Sequence, residues 1–146
     1  MRKVLLSLVV VLLFAACGSK IKTTQDWVAL CKSDNIEQID KSIKETNPDV
    51  LLKIFEDLID EFGKTDLSNE SLVKERSKAL FYLYTGMTGN LLKDLVDFTD
   101  GQRQKYAEVV QEKFTSSGAM TLMIVGLGGE ENFKKLATDY ANYIKE

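Results

Sequence analysis

The stretch from Asn47 to Gly63 carries both ends of a helix in its own sequence. Asn47 is a good N-cap, and Pro48 stands at the first helical position, where a missing N–H costs nothing. Leu51, Ile54, Phe55, Leu58, Ile59 and Phe62 then recur on one broad apolar face, and Gly63 suits the left-handed residue that closes a helix. The same punctuation recurs along the chain. Thr23 or Thr24 caps a helix of about 25–33. Asp34, three before Glu37, opens a capping box for a stripe of Ile36, Ile39 and Ile43. Asn69 starts a helix to about Thr85, which is expected to break at Gly86 and Gly89 before a short helix at 90–98. Thr99 with Gln102 is another capping box, leading a helix to Thr115, and the last helix runs from Glu130 to about Lys145.

Pro48 is the only proline, and the alternation of period two that marks a strand is nowhere sustained. The one ambiguous stretch is 119–127, apolar except for Thr121; Ile124-Val125 lean toward a buried strand, whereas Met120, Leu122 and Met123 favour a helix. The expected fold is all-α: a compact irregular bundle of seven or eight short helices, wrapped around 119–127 as its central element.

The residue types that are missing narrow the function. The 146 residues include no histidine, which removes Ser-His-Asp and Cys-His catalysis and the imidazole ligands of most catalytic metals. A formal net charge of −3 gives no electrostatic case for nucleic acid. Neither a cofactor nor a metal is expected, and no catalytic residue is assigned.

The other strong pattern is at the start. Arg2 and Lys3 precede an apolar run from Val4 to Phe14, which is too short to span a bilayer and has the form of an export signal. Ala15 and Ala16 are small residues at the end of that run, and Cys17 follows. The tetrapeptide Phe14-Ala15-Ala16-Cys17 resembles the lipobox of bacterial lipoproteins, with Phe14 where that family usually has Leu. The resemblance implies cleavage before Cys17 and a diacylglycerol on its thiol. One acyl chain holds only marginally and two or three hold lastingly, so the membrane is an expected partner through Cys17. Gly18, rather than Asp, after the cysteine points to the periplasmic side of an outer membrane where the source has one. The expected organisation is a signal peptide at 1–16, a lipidated cysteine with a short tether at 17–23, and one helical domain at 24–146. A tether of about six residues reaches roughly 20 Å, which keeps the body at the membrane.

Other candidates have plainer readings beside them. Cys31 shares a face with Trp27 and Leu30, which favours burial; an intermolecular disulfide is the alternative. Glu56, Asp57, Asp60 and Glu61 read as a solvated face offset by Lys53 and Lys64 rather than a calcium or glycosidase site. Asp94, Asp97 and Asp100 lack EF-hand spacing and read as helix surface and cap. Gly126, Gly128 and Gly129 precede two glutamates, which disfavour phosphate, so a structural turn is expected. Tyr82, Tyr84, Tyr140 and Tyr143 suit either the rim of a core or a ligand site, and Met87, Met120 and Met123 suit a core. The function expected is a membrane-anchored envelope lipoprotein with a non-catalytic interaction domain and an envelope protein as partner. The alternatives are a carrier or sensor of an apolar or sugar ligand, with a cavity between Tyr82/Tyr84 and the methionine-bearing helix, and a carboxylate-dependent glycan hydrolase.

Overall fold

A computed structural model describes residues 21–145; the leader, Cys17 and the start of the tether lie outside them. The described residues are all-α, with no strand: α1 (Thr24–Cys31), α2 (Ile36–Glu45), α3 (Pro48–Gly63), α4 (Glu70–Leu92), α5 (Asp100–Glu108), α6 (Ala119–Gly126) and α7 (Glu130–Lys145). A π-helical segment, Val109–Thr115, continues α5.

Most helix starts follow from the caps. The Thr23 hydroxyl accepts from Asp26 N while the Asp26 carboxylate accepts from Thr23 N, and Thr99 with Gln102 closes the same box on α5. Asn47 caps α3 ahead of Pro48, and Asn69 caps α4. One start differs from expectation. Asn35, not Asp34, caps α2 by accepting from Gln38 N. Asp34 takes a left-handed backbone, φ 54°, and its side chain leaves for another helix.

The glycines at 86 and 89 do not break α4, and no helix forms over 93–99. A helical glycine costs about 1 kcal/mol relative to alanine. Here the packing offsets it: a Cβ on Gly86 would overlap Ile43 Cδ1 and the Tyr140 hydroxyl, and one on Gly89 would crowd Ile144 Cδ1. Glycine lets α2 and α7 approach the backbone of α4.

The central element is therefore α4, not 119–127. Ala79, Leu80, Phe81, Tyr82 and Leu83 are consecutive and all buried, the pattern of a helix surrounded on every side. The stretch 119–127 is helical, as its methionines and leucines favoured, but it lies at the periphery. Ala119, Met123 and Leu127 face inward, Met120, Leu122 and Ile124 are half-buried, and Val125 is 66% exposed.

Two sides of α4 are filled differently. Trp27 of α1 is fully buried and donates its indole N–H to the Ala79 carbonyl at 2.9 Å. On the α3–α5 side the contacts are aromatic: Phe55 meets Tyr106 and Phe114 edge-on at 5.9 and 5.3 Å, and Tyr84 meets Phe114 at 5.1 Å. Phe114 belongs to the π segment, which also brings Lys113 to within 2.6 Å of Glu56. Cys31 is a free thiol, fully buried; burial first, and the Asp34 charge second, push its pKa well up.

Candidate binding cleft

The α1–α2 turn, α4 and α7 enclose an open cleft of about 370 Å³. Its floor starts with Asp34. The turn holds the carboxylate out: Ser33 N donates to Leu30 O and Asp34 N to Cys31 O, closing α1, and the left-handed residue then reverses the chain. Asp34 Oδ2 accepts from Lys78 Nζ at 2.6 Å and Oδ1 from the Tyr82 hydroxyl at 2.8 Å. Lys78 and Tyr82 are four apart on α4, so one helix face supplies both donors. Burial, then the hydrogen bond to Asp34 and its charge, hold the Tyr82 phenol protonated well above its ordinary range.

The rim is looser. Lys74 of α4 and Asp139 of α7 line it, both exposed, and neither has an oppositely charged partner within ion-pair distance among the described residues. Asn132 joins them, its amide donating to the Leu127 carbonyl. Gly128 and Gly129, with φ of 102° and 111°, turn the chain from α6 into α7 and so place Asn132. Their N–H groups donate to Val125 O and Ile124 O, so this glycine run is a helix-ending turn with no amide left for a phosphate.

A second carboxylate cluster is closed. Asp40 is 2% exposed at its side chain; Oδ1 accepts from Asn90 Nδ2 and the Tyr140 hydroxyl, each at 2.8 Å, and Oδ2 forms an ion pair with Lys44 Nζ at 2.8 Å. Burial first, then the Asp40 charge and hydrogen bond, push the Tyr140 pKa up. Asn90 also donates to Gly86 O, while its own oxygen has no partner. The cluster joins α2, α4 and α7 and offers no space for a ligand.

The residues singled out in the sequence fall in separate places. The four acids of α3 do not form a single set: Asp57 and Glu61 line one groove, and Glu56 is engaged elsewhere. Glu56 pairs with Lys113 and Lys105 rather than leaving the neutralisation to Lys53 and Lys64, and the Lys113 hydrogen bond holds its carboxyl below the usual range. Asp57 accepts from the Thr24 hydroxyl at 3.3 Å. Asp94, with φ 56°, pairs with Arg103 in the loop after α4, and Asp100 is the first residue of α5. Tyr84 turns toward Phe114, while Met87 and Met123 are fully buried, so of these side chains it is Tyr82 that lines the cleft. Sequence reasoning missed both the pairing of Asp34 with Lys78 and Tyr82 and the separate cluster at Asp40. One signal was present for Asp40: it lies four after Ile36 and three before Ile43, a carboxylate inside an apolar stripe.

The chain matches no protein-family model, no curated protein and no solved structure.

Proposed function

We propose that this chain is a lipid-anchored envelope protein, held by acyl chains on Cys17, whose helical body is a non-catalytic interaction domain working at the membrane surface. The observation that carries the reading is the burial of Ile21, which is 3% exposed, followed at once by the Thr23 cap of α1. The folded body thus begins earlier than the sequence suggested. Only Gly18, Ser19 and Lys20 separate Cys17 from the core, in place of the six-residue tether expected. Four residue steps span at most about 14 Å. A globular body of this size is roughly 35 Å across. An anchor that short leaves no reach across a periplasm, so the partner comes to the membrane, on the periplasmic side of an outer membrane where the source has one.

The side chains offered to such a partner are Val125 and the half-buried Met120, Leu122 and Ile124 of α6. An exposed valine flanked by half-buried apolar side chains suits an envelope protein as partner. The cleft at Asp34 favours a second reading, a sensor or carrier. Lys74 and Asp139, without an ion-pair partner among the described residues, suit a polar ligand bearing both charges better than an apolar one.

Metabolic labelling with a fatty-acid probe tests the anchor. The wild-type chain takes up label and pellets with membranes; Cys17→Ser does neither. A wild-type product free in the soluble fraction and without label overturns the proposal. Cross-linking in intact envelopes from a photoreactive group at position 125 then identifies the partner.

A further inference from the structure

Beside the point where the chain joins the body, α1 and α3 enclose an open groove of about 470 Å³. Lys22 and Lys53 supply its cations, Asp57 and Glu61 its acids, and Val50 and Ile54 apolar lining. Neither lysine has a carboxylate within ion-pair distance among the described residues. Among the described residues the Glu61 carboxylate has no hydrogen-bond donor; its backbone carbonyl is engaged by Lys64 N, Thr65 and Arg76. Asp57 receives only the Thr24 hydroxyl. Among the described residues the groove therefore holds two lysines without an ion-pair partner and two carboxylates, with Val50 and Ile54 in the same lining.

We infer that this groove is the membrane-facing side of the body and seats the headgroup of a zwitterionic phospholipid, its phosphodiester on Lys22 and Lys53 and its ammonium on Asp57 and Glu61. The inference rests on the acylation of Cys17 proposed above. Ile21 is fixed in the core and adjoins Lys22 of the groove, so a Cys17 inserted in a leaflet stands within about 14 Å of it. That is less than half the width of the body, which cannot turn its far side to the lipid. The mixed charge selects the headgroup: Asp57 and Glu61, with Asp60 one turn away, oppose one that is anionic only.

The far side is identifiable. Gly126 of α6 rests on Val73 and Ser77, whereas α1 reaches Glu75 through Lys32 and Ala79 through Trp27. Positions 73 and 77 share one face of α4 and 75 and 79 another, about 200° around the helix. α6, which carries the exposed Val125, thus packs on the side of α4 opposite α1.

The test uses the full acylated chain in vesicles of phosphatidylethanolamine and phosphatidylcholine containing a headgroup-labelled quencher lipid. A fluorophore is placed on Gln25→Cys or Val125→Cys; the buried Cys31 stays unlabelled. Several-fold quenching at 25 with none at 125 is expected. In a second arm Lys22→Glu with Lys53→Glu is added to the chain labelled at 25 and is expected to at least halve its quenching, circular dichroism confirming the fold. Quenching at 125, at both positions alike or at neither overturns the orientation, and an unchanged signal in the charge-reversed chain overturns headgroup recognition. Mass measurement of the same sample separates the two proposals: an unacylated product ends both, whereas an acylated one that fails the quenching test ends this one alone.

Discussion

Asp40 and Asp34 have nearly the same partners and opposite fates. Each accepts a tyrosine hydroxyl at 2.8 Å and a lysine ammonium, and each ties the α1–α2 region to α4. The Asp40 side chain is 2% exposed and that of Asp34 46%. Asp40 gains one more donor, Asn90, and with α2, α4 and α7 closed over it becomes a staple. Asp34 sits on a turn that holds it out of the core, and the space left beside it is the cleft. Glu56, with two lysines and a side chain 24% exposed, stands between them. Burial, more than the identity of the donors, decides what an acid–tyrosine–lysine set does: the low dielectric that strengthens its hydrogen bonds also makes each of them costly to lose.

Four substitutions test that gradient. Asp40→Ala strands the Tyr140 hydroxyl and the Asn90 amide in the core, while Lys44, itself 40% exposed, turns to water. A loss of about 3 kcal/mol in urea unfolding is expected; a loss no larger than that of a surface substitution breaks the comparison. Tyr140→Phe removes one donor and leaves Asn90 and Lys44 on Asp40, for a loss of about 2 kcal/mol by the same measurement. Glu56→Gln costs about 0.5 kcal/mol at neutral pH, because solvent screens the pair. Its sign with pH is fixed. The folded carboxyl is held below its ordinary range by Lys113, so the stabilisation is present above that range and is lost as pH falls through the folded pKa. The gap between wild type and Glu56→Gln should close in acid melts. Asp34→Gly is the smallest change. Glycine relieves the left-handed backbone and loses an exposed ion pair and the Tyr82 hydrogen bond, whose donor faces the open cleft and turns to water, so the net change in thermal unfolding is small. A large loss there would mean that the two clusters are alike after all.

Much of the fold was legible residue by residue. The caps at Thr23, Asn47, Asn69 and Thr99 act within a few residues of themselves, so their effect is written locally. The face holding Leu51, Ile54, Phe55, Leu58 and Phe62 is buried as its spacing required. Position along the chain did not carry the rest. The apolar content of 119–127 suggested a centre, yet 79–83 is more deeply enclosed, because α1, α2, α3, α6 and α7 all pack against α4. Gly86 and Gly89 read as a break because the residues that need their missing Cβ atoms, Ile43, Tyr140 and Ile144, are more than forty positions away. The cleft was equally hidden, since Asp34, Lys78 and Asp139 come from three separated segments.

By itself, then, the sequence determined the helical class, most helix starts, the burial of Cys31 on its apolar face and the want of any imidazole chemistry. These follow from periods and caps that operate over one to four residues. The tertiary structure decided which helix became the centre, which acid was sealed in and which left open, and that Ile21 belongs to the core. Those outcomes depend on contacts between segments distant in the chain, whose free energy is set by the surface that both partners remove from water together and by the polar groups they satisfy in doing so.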